Sequence, residues 1–439
     1  MLALPTSNHI RKHMLVALSR YWPNEPGLVS NLPINQISLN GSINGPLRMV
    51  KIKLPEWAIK YSVDGFLLIP NEAIVMKPDR NNSWEYVDWW LAGFLLLEAC
   101  HERAWEYNHG PIHSYSFRLK NWDERAWEYA WVNRMGMFLR TWAIYRANSS
   151  LESKLGSIRD YDFQLTHDVD AVKKTWSIRI KQSSFNFLNS LRYFFKNDIK
   201  KAKLYFSKGI NFATSNDDWW LFDELFSIEK SFNIKAIYHF HADRRKKSPK
   251  RWLFDPNYKI ESDDMLQLLK QIKHYGHKIG LHPGFDSWQE SSEICAQRKL
   301  VEEASNIPIM ECRQHWLRFS WNHTWVAQKK AGLTHDRTLM FNDRPGFRNS
   351  SALTYHPWNF REQKPHKIIV QPTIFMDSHL YDYKDLNSSS RKKEIKYWIS
   401  ECKYVQGSVS ILWHPHTLSK DYSWLDGFKD TLREIAANS

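Results

Sequence analysis

Cysteine is scarce in this chain: four residues, Cys100, Cys295, Cys312 and Cys402, among 439. None stands in a C-x-x-C pair and together they make no dense framework. That argues against a disulfide scaffold and for reduced thiols in a cytoplasmic setting. Long hydrophobic runs are also missing. The most apolar stretch, Trp89 to Leu97, is about half of the ~20 residues a membrane-spanning helix needs. The run Met14 to Leu18 is too short for a signal-peptide core. Neither a spanning segment nor an export signal is therefore expected. Several familiar motifs are absent as well: no G-x-x-x-x-G-K-[ST] phosphate loop, no G-x-G-x-x-G after a strand, no G-x-S-x-G elbow and no H-E-x-x-H. These absences weaken nucleotide-binding, serine-hydrolase and zincin readings.

Aromatic and basic residues, by contrast, are plentiful. There are 22 Trp, and the formal net charge is +14. Such a balance suits nucleic acid, an anionic membrane face or an acidic glycan, and equally a soluble protein with a basic surface. With 43% apolar residues the chain can bury a sizeable core, and its length suits two domains.

The chain divides at about residue 155. Residues 1–155 are rich in Trp and in helical pattern, with helices expected at Trp89–Leu97 and Trp127–Tyr145. The hexapeptide Glu-Arg-Ala-Trp-Glu-Tyr occurs twice, at 102–107 and 124–129, and predicts two similar helical segments. A polar linker is expected from Asn148 to Ser157. Beyond it, short apolar runs alternate with helical ones, as in βα units. Strands are expected at 161–166, 234–241, 277–282, 308–315, 367–376 and 408–414. Helices are expected at 217–230, capped by Ser215 or Asn216, and at 263–275, between Ser262 and Gly276. A basic helical insert occupies about 173–210, with aromatics such as Phe185, Phe187 and Phe194 between its lysines. It reads as a solvated helical hairpin or as a surface for an anionic membrane or an anionic, lipid-linked glycan.

The strand ends carry the chemistry. The first closes in Thr166-His167-Asp168-Val169-Asp170, the second in His239-Phe240-His241, the third in Gly280-Leu281-His282-Pro283. The fourth closes in Arg313-Gln314-His315 and the last in Leu412-Trp413-His414-Pro415. At the C-terminal ends of parallel strands such residues converge on one mouth. Asp and His ending strand after strand therefore predict a metal-type cluster. His239 and His241 share a strand face and are expected to be structural, and His167 to point away from Asp168. His416 and Asp421 follow the last strand without an assigned role. Trp316, Trp321, Trp358 and Trp413 are candidates for stacking on sugar rings or for core.

These motifs, with Arg313-Gln314-His315-Trp316-Leu317-Arg318-Phe319 and Arg344-Pro345-Gly346-Phe347-Arg348, resemble the polysaccharide deacetylase family (NodB-homology fold) over roughly 158–420. More narrowly they resemble the branch found with capsule and O-antigen biosynthesis, which also has a helix-rich N-terminal region. The resemblance implies an α/β fold: an irregular seven-stranded (β/α) barrel at 156–439 after a separate N-terminal α-rich or α+β domain at 1–155. It implies Zn²⁺ or another divalent ion on Asp170, His282 and His315, with Asp286 as the alternative third ligand. Asp168 would be the general base, His414 the general acid, and Arg348, or else Arg313, the partner that keeps Asp168 ionised. The implied substrate is an N-acetylated (or O-acetylated) sugar of a surface polysaccharide or its precursor, handled in the cytoplasm, at the inner membrane face if the insert docks there. Val169 stands where the family usually has a ligand, and Asp286 stands where its H-x-x-x-H motif has the second His. A non-catalytic glycan-binding barrel is thus the alternative. A nucleic-acid binder rests on charge alone and has no recognition motif.

Overall fold

The structure, a computed structural model, describes residues 3–37, 43, 45–75, 84–147, 152–246, 248–384 and 386–437. The expected linker falls partly on 148–151, outside the described residues.

The described residues up to 155 form a helical layer around a two-stranded antiparallel ribbon, β1 (Met49–Lys53) with β2 (Phe66–Pro70). Its helices are α1 (Ser7–Ala17), α2 (Pro26–Ser30), α3 (Trp89–Leu97), α4 (Cys100–His109), α5 (Trp131–Arg146) and the short α6 (Glu152–Leu155). Every residue of α3 is buried, because its sequence is apolar all the way round. The two copies of Glu-Arg-Ala-Trp-Glu-Tyr differ. The first lies within α4, whereas the second is a 3₁₀ turn at Glu124–Trp127. In the second copy the carbonyls serve other partners: Ser350 Oγ donates to Ala126 O and Phe347 N–H to Trp127 O. A helix would need those carbonyls for itself.

Eight parallel strands follow: β3 (Asp162–Val169), β4 (Ala236–Phe240), β5 (Lys278–Leu281), β6 (Glu311–Cys312), β7 (His335–Asp336), β10 (Ile369–Val370), β11 (Thr373–Met376) and β12 (Ser408–Leu412). A small antiparallel pair, β8 (Trp358–Asn359) and β9 (Lys364–Pro365), interrupts them. The sheet order is β10-β7-β6-β5-β4-β3-β12-β11. The expected barrel of seven strands is thus a curled sheet of eight whose two edges do not pair as a ladder. Irregular bonds cross the seam instead, such as Thr373 N–H to Leu339 O at 3.0 Å. The single strand expected at 367–376 splits at Gln371-Pro372, where proline has no N–H for a ladder. Strand β7, two residues long, is too short to show a pattern. The helix expected at 217–230 starts only at Phe222. Asp218 caps the N–H of Trp220, and Trp219 buries itself in a small satellite core with Ala171 and Phe212, which holds 215–221 as a loop.

The helical layer and the sheet share one hydrophobic core. Tyr21 donates its hydroxyl to Val405 O at 2.6 Å, and Arg134 forms a bidentate pair with Glu401 at 2.8 and 2.5 Å. Arg348, expected beside Asp168, takes part in this contact instead. Its guanidinium pairs with Glu102 of α4 at 2.5 and 3.3 Å and donates to Ser114 Oγ and Met340 O. Both partners are almost wholly buried. Arg348→Met leaves Glu102 buried without its counter-charge. It is expected to cost about 3–5 kcal/mol in a denaturant titration, with Asp168 untouched.

Candidate active site

The parallel sheet brings the strand ends to one mouth. Asp168 lies near the end of β3 and Asp170 just beyond it. Two residues apart on an extended chain, they face the same side, while Val169 between them turns into the core. This alternation places both carboxylates in the site. Next to β3, on β4, sits His239, and β5 leads into His282, whose N–H donates to Phe240 O at 2.8 Å. Arg313 and His315 come from the loop after β6, where Trp316 (φ 55°) and Leu317 (φ 49°) turn the chain through the left-handed region. That conformation is costly for such residues and is held by the surrounding structure. From the other side of β3 comes His414, one residue after Trp413, whose N–H donates to Thr166 O at 3.0 Å.

Asp170, His282 and His315 come together with one ligand atom each within 4.8 Å of the others. Asp170 Oδ1 is 3.3 Å from His282 Nε2 and 3.5 Å from His315 Nε2. The other ring nitrogens fix the tautomers. His282 Nδ1 lies 2.7 Å from Arg313 O, which can only accept, so this nitrogen carries the proton. His315 Nδ1 is 3.3 Å from the Asp255 carboxylate in the same way. With Nδ1 so engaged, each ring when neutral presents its Nε2 lone pair toward Asp170 Oδ1, a buried oxygen with no hydrogen-bond donor. Three electron-pair donors meeting in a buried space call for a cation. Zn–N and Zn–O bonds of about 2.0–2.2 Å in a tetrahedron put neighbouring ligand atoms roughly 3.3–3.5 Å apart, the spacing found here between Asp170 and each histidine. The residues fit a divalent ion, and the donors on the two rings match the outer partners that orient metal-binding histidines. Asp286 lies elsewhere, half-buried near Arg245 and Arg251 at 3.7 and 3.5 Å.

Asp168 is a different kind of carboxylate. Arg313, wholly buried, reaches it at 3.3 Å and also donates to Thr166 Oγ1, Thr373 Oγ1 and the Arg337 carbonyl. His239 Nδ1 lies 3.2 Å from the same oxygen. Burial favours the neutral acid, but the charge of His282 when its ring is protonated and that of Arg313 outweigh it and hold Asp168 well below the usual carboxylate range. The cation beside Asp168 is therefore Arg313, in the place expected for Arg348. Burial pushes His239 down to about 3, so it stays neutral.

His414 faces the site with Nε2, 3.6 Å from Asp170 Oδ2. Its Nδ1 is 2.9 Å from buried Asp377, which also accepts from the His414 N–H at 2.8 Å and from Thr417 Oγ1 at 3.0 Å. Burial opposes the charged ring, yet Asp377 and then Asp170 push it up to about 10. Asp377 went unpredicted although it directly follows β11, the same strand-end signal that marks the others. Asp377→Asn is expected to lower kcat by about 10–100-fold at unchanged KM and metal content, measured by steady-state kinetics and elemental analysis. Asp255 had no such signal, since only the fold brings it to His315.

The remaining candidates fall outside the cluster. His167 points away, between Trp413 O and Glu229, each at 2.7 Å. His416 stacks on Trp219, and Asp421 pairs with Lys174 at 2.9 Å. Trp321, Trp358 and Trp413 are core, whereas Trp316 is exposed beside Phe254. A second group, His241, Asp243 and Asp255, has ligand-like spacing. Arg245 already neutralises Asp243 through contacts of 2.5–2.9 Å, and Asp255 serves His315. A cleft of about 980 Å³ between α1 and residues 353–367 holds none of the clustered residues.

No family model matches this chain, and no curated protein does. The chain is similar to polysaccharide deacetylases of known structure. A protein assigned as a polysaccharide deacetylase from Mycobacterium smegmatis aligns at 16% identity over 65% of this chain and 86% of its own, with a TM-score of 0.38. A polysaccharide deacetylase from Bacillus cereus aligns at 10% identity over 64% and 88%, with a TM-score of 0.32. A CE4-family pseudoenzyme from Bacillus anthracis aligns at 12% identity over 63% and 62%, with a TM-score of 0.25.

Proposed function

We propose that this protein is a metal-dependent hydrolase that removes an N-acetyl group from a sugar of a surface polysaccharide or its precursor. The observation that carries the reading is the convergence of three lone pairs, on Asp170, His282 and His315, between an ionised Asp168 and the His414–Asp377 pair. A divalent cation on that triad would polarise the acetamide carbonyl and make water a better nucleophile.

The chain's own residues supply the proton handling. Asp168, kept charged by Arg313, takes a proton from the attacking water. His414, aligned by Asp377, carries a proton on Nε2 and gives it to the sugar nitrogen as the C–N bond breaks. The products are acetate and the free amine. The altered Asp-Val-Asp motif costs nothing in this geometry, because residues 168 and 170 share a face. The role that an H-x-x-x-H motif would give to position 286 falls to His315. These two features also suit a non-catalytic glycan-binding barrel, which the acetate-release test separates from the hydrolase.

The test is release of acetate from a panel of N-acetylated sugars, free, nucleotide-linked and polymeric, by metal-loaded protein. Metal-dependent acetate release that Asp168→Asn abolishes supports the reading. Binding of those sugars with no acetate release after metal loading would sink it.

A further inference from the structure

The basic insert is a hairpin of two long helices, α7 (Trp176–Phe195) and α8 (Ile199–Thr214). The two helices meet through small or polar residues, with Ser183, Asn186, Ala202 and Gly209 buried and Ser190 Oγ donating to Ala202 O, and through the aromatic pairs Phe187–Phe206 and Tyr193–Tyr205. A Cβ at Gly209 would lie 2.7 Å from the Phe187 ring. Other large apolar residues point outward. Trp176, Ile180, Leu188, Leu191 and Phe195 recur at spacings of three, four and eight along one side of α7. Trp176 and Phe195 are 78% and 81% exposed. Leu204, Phe206 and Ile210 extend the exposed apolar surface on α8. Between Lys173 and Lys208 there are ten Lys or Arg and a single acid, Asp198.

We propose that this hairpin docks the protein on an anionic lipid bilayer, lying in the headgroup layer with its apolar side toward the acyl chains. Leucine and phenylalanine exposed to water gain by entering the acyl boundary, and the surrounding lysines gain from anionic headgroups. A second copy of the chain would have to bring two strongly positive hairpins together. Nucleic acid would satisfy the lysines but leave the aliphatic residues in water. No helix among the described residues is long and apolar enough to cross a membrane, so the hairpin would lie on the surface.

The base of the hairpin is tied to the candidate site. Helix α7 starts six residues after Asp170. Lys174 pairs with Asp421 at 2.9 Å, Asp421 accepts from Trp219 Nε1 at 2.8 Å, and Trp219 stacks on His416, two residues from His414. Docking would hold the mouth near the lipid surface. On the function proposed above, this places the acetylated sugar on a lipid-linked glycan, but the docking itself does not depend on that chemistry.

Flotation of the full-length protein with phosphatidylglycerol-containing vesicles, against pure phosphatidylcholine vesicles, tests the proposal. The wild type should float with the anionic vesicles and stay down with the neutral ones. Leu188→Glu/Leu191→Glu should lose at least about tenfold in vesicle affinity while keeping its oligomeric state and thermal midpoint. Lys200→Glu/Lys203→Glu should lose a similar factor, most of it at low salt. Failure of the wild type to float with anionic vesicles overturns the proposal. So does a wild-type dimer that the Leu188→Glu/Leu191→Glu change splits without altering flotation, or binding to single-stranded DNA that outcompetes the vesicles.

Discussion

Asp168→Asn is expected to lower turnover by about 10³-fold while metal content and fold stay as in the wild type. Asparagine keeps the shape and can still accept from Arg313, so the buried guanidinium retains its bonds to Thr166, Thr373 and the Arg337 carbonyl. What it loses is the basic oxygen that, on the proposed function, takes the water's proton. The triad Asp170, His282 and His315 does not include Asp168, which is why metal and activity should separate. Full activity in the Asn variant would remove Asp168 from the mechanism. Loss of metal together with activity would make it a ligand rather than a base. Measuring kcat and metal content on the same preparations decides between these outcomes.

The second large effect is a graded loss of metal. His282→Ala and His315→Ala each remove one of three converging donors, and each should weaken binding by more than 100-fold, with activity falling to background. Asp255→Asn removes only the carboxylate that receives the His315 Nδ1–H. It should weaken binding by about 10–100-fold, as losses of outer partners do. Asp286→Ala should leave metal content unchanged, because Asp286 sits near Arg245 and Arg251, outside the cluster. Elemental analysis after dialysis against a graded chelator reads all four variants. An Asp286→Ala variant that lost metal while His315→Ala kept it would reverse the ligand assignment.

These two predictions rest on different kinds of information. The ordered strand ends, Asp168 and Asp170, His282, His315 and His414, are legible in the chain alone. Strand alternation and the parallel arrangement of βα units leave those side chains few other places to point. The same local patterns show the buried α3, the helix at Asp263–His274 and the basic hairpin at 173–210.

Tertiary structure decided everything that depends on residues far apart in sequence. Arg313 and Arg348 are both arginines beside plausible motifs, and no local rule says which one reaches Asp168. The outcome followed from the docking of α4, whose Glu102 claims Arg348. Asp377 and Asp255 become partners of His414 and His315 across 37 and 60 residues. The two copies of Glu-Arg-Ala-Trp-Glu-Tyr make the point in a single peptide: the same six residues form a helix at 102–107 and a 3₁₀ turn at 124, because only the second has its carbonyls taken by the sheet domain. The sequence by itself determined which residues could do chemistry and which strand ends would carry them. The tertiary structure chose their partners, because a buried charge or donor must be satisfied by whatever group the fold brings within reach.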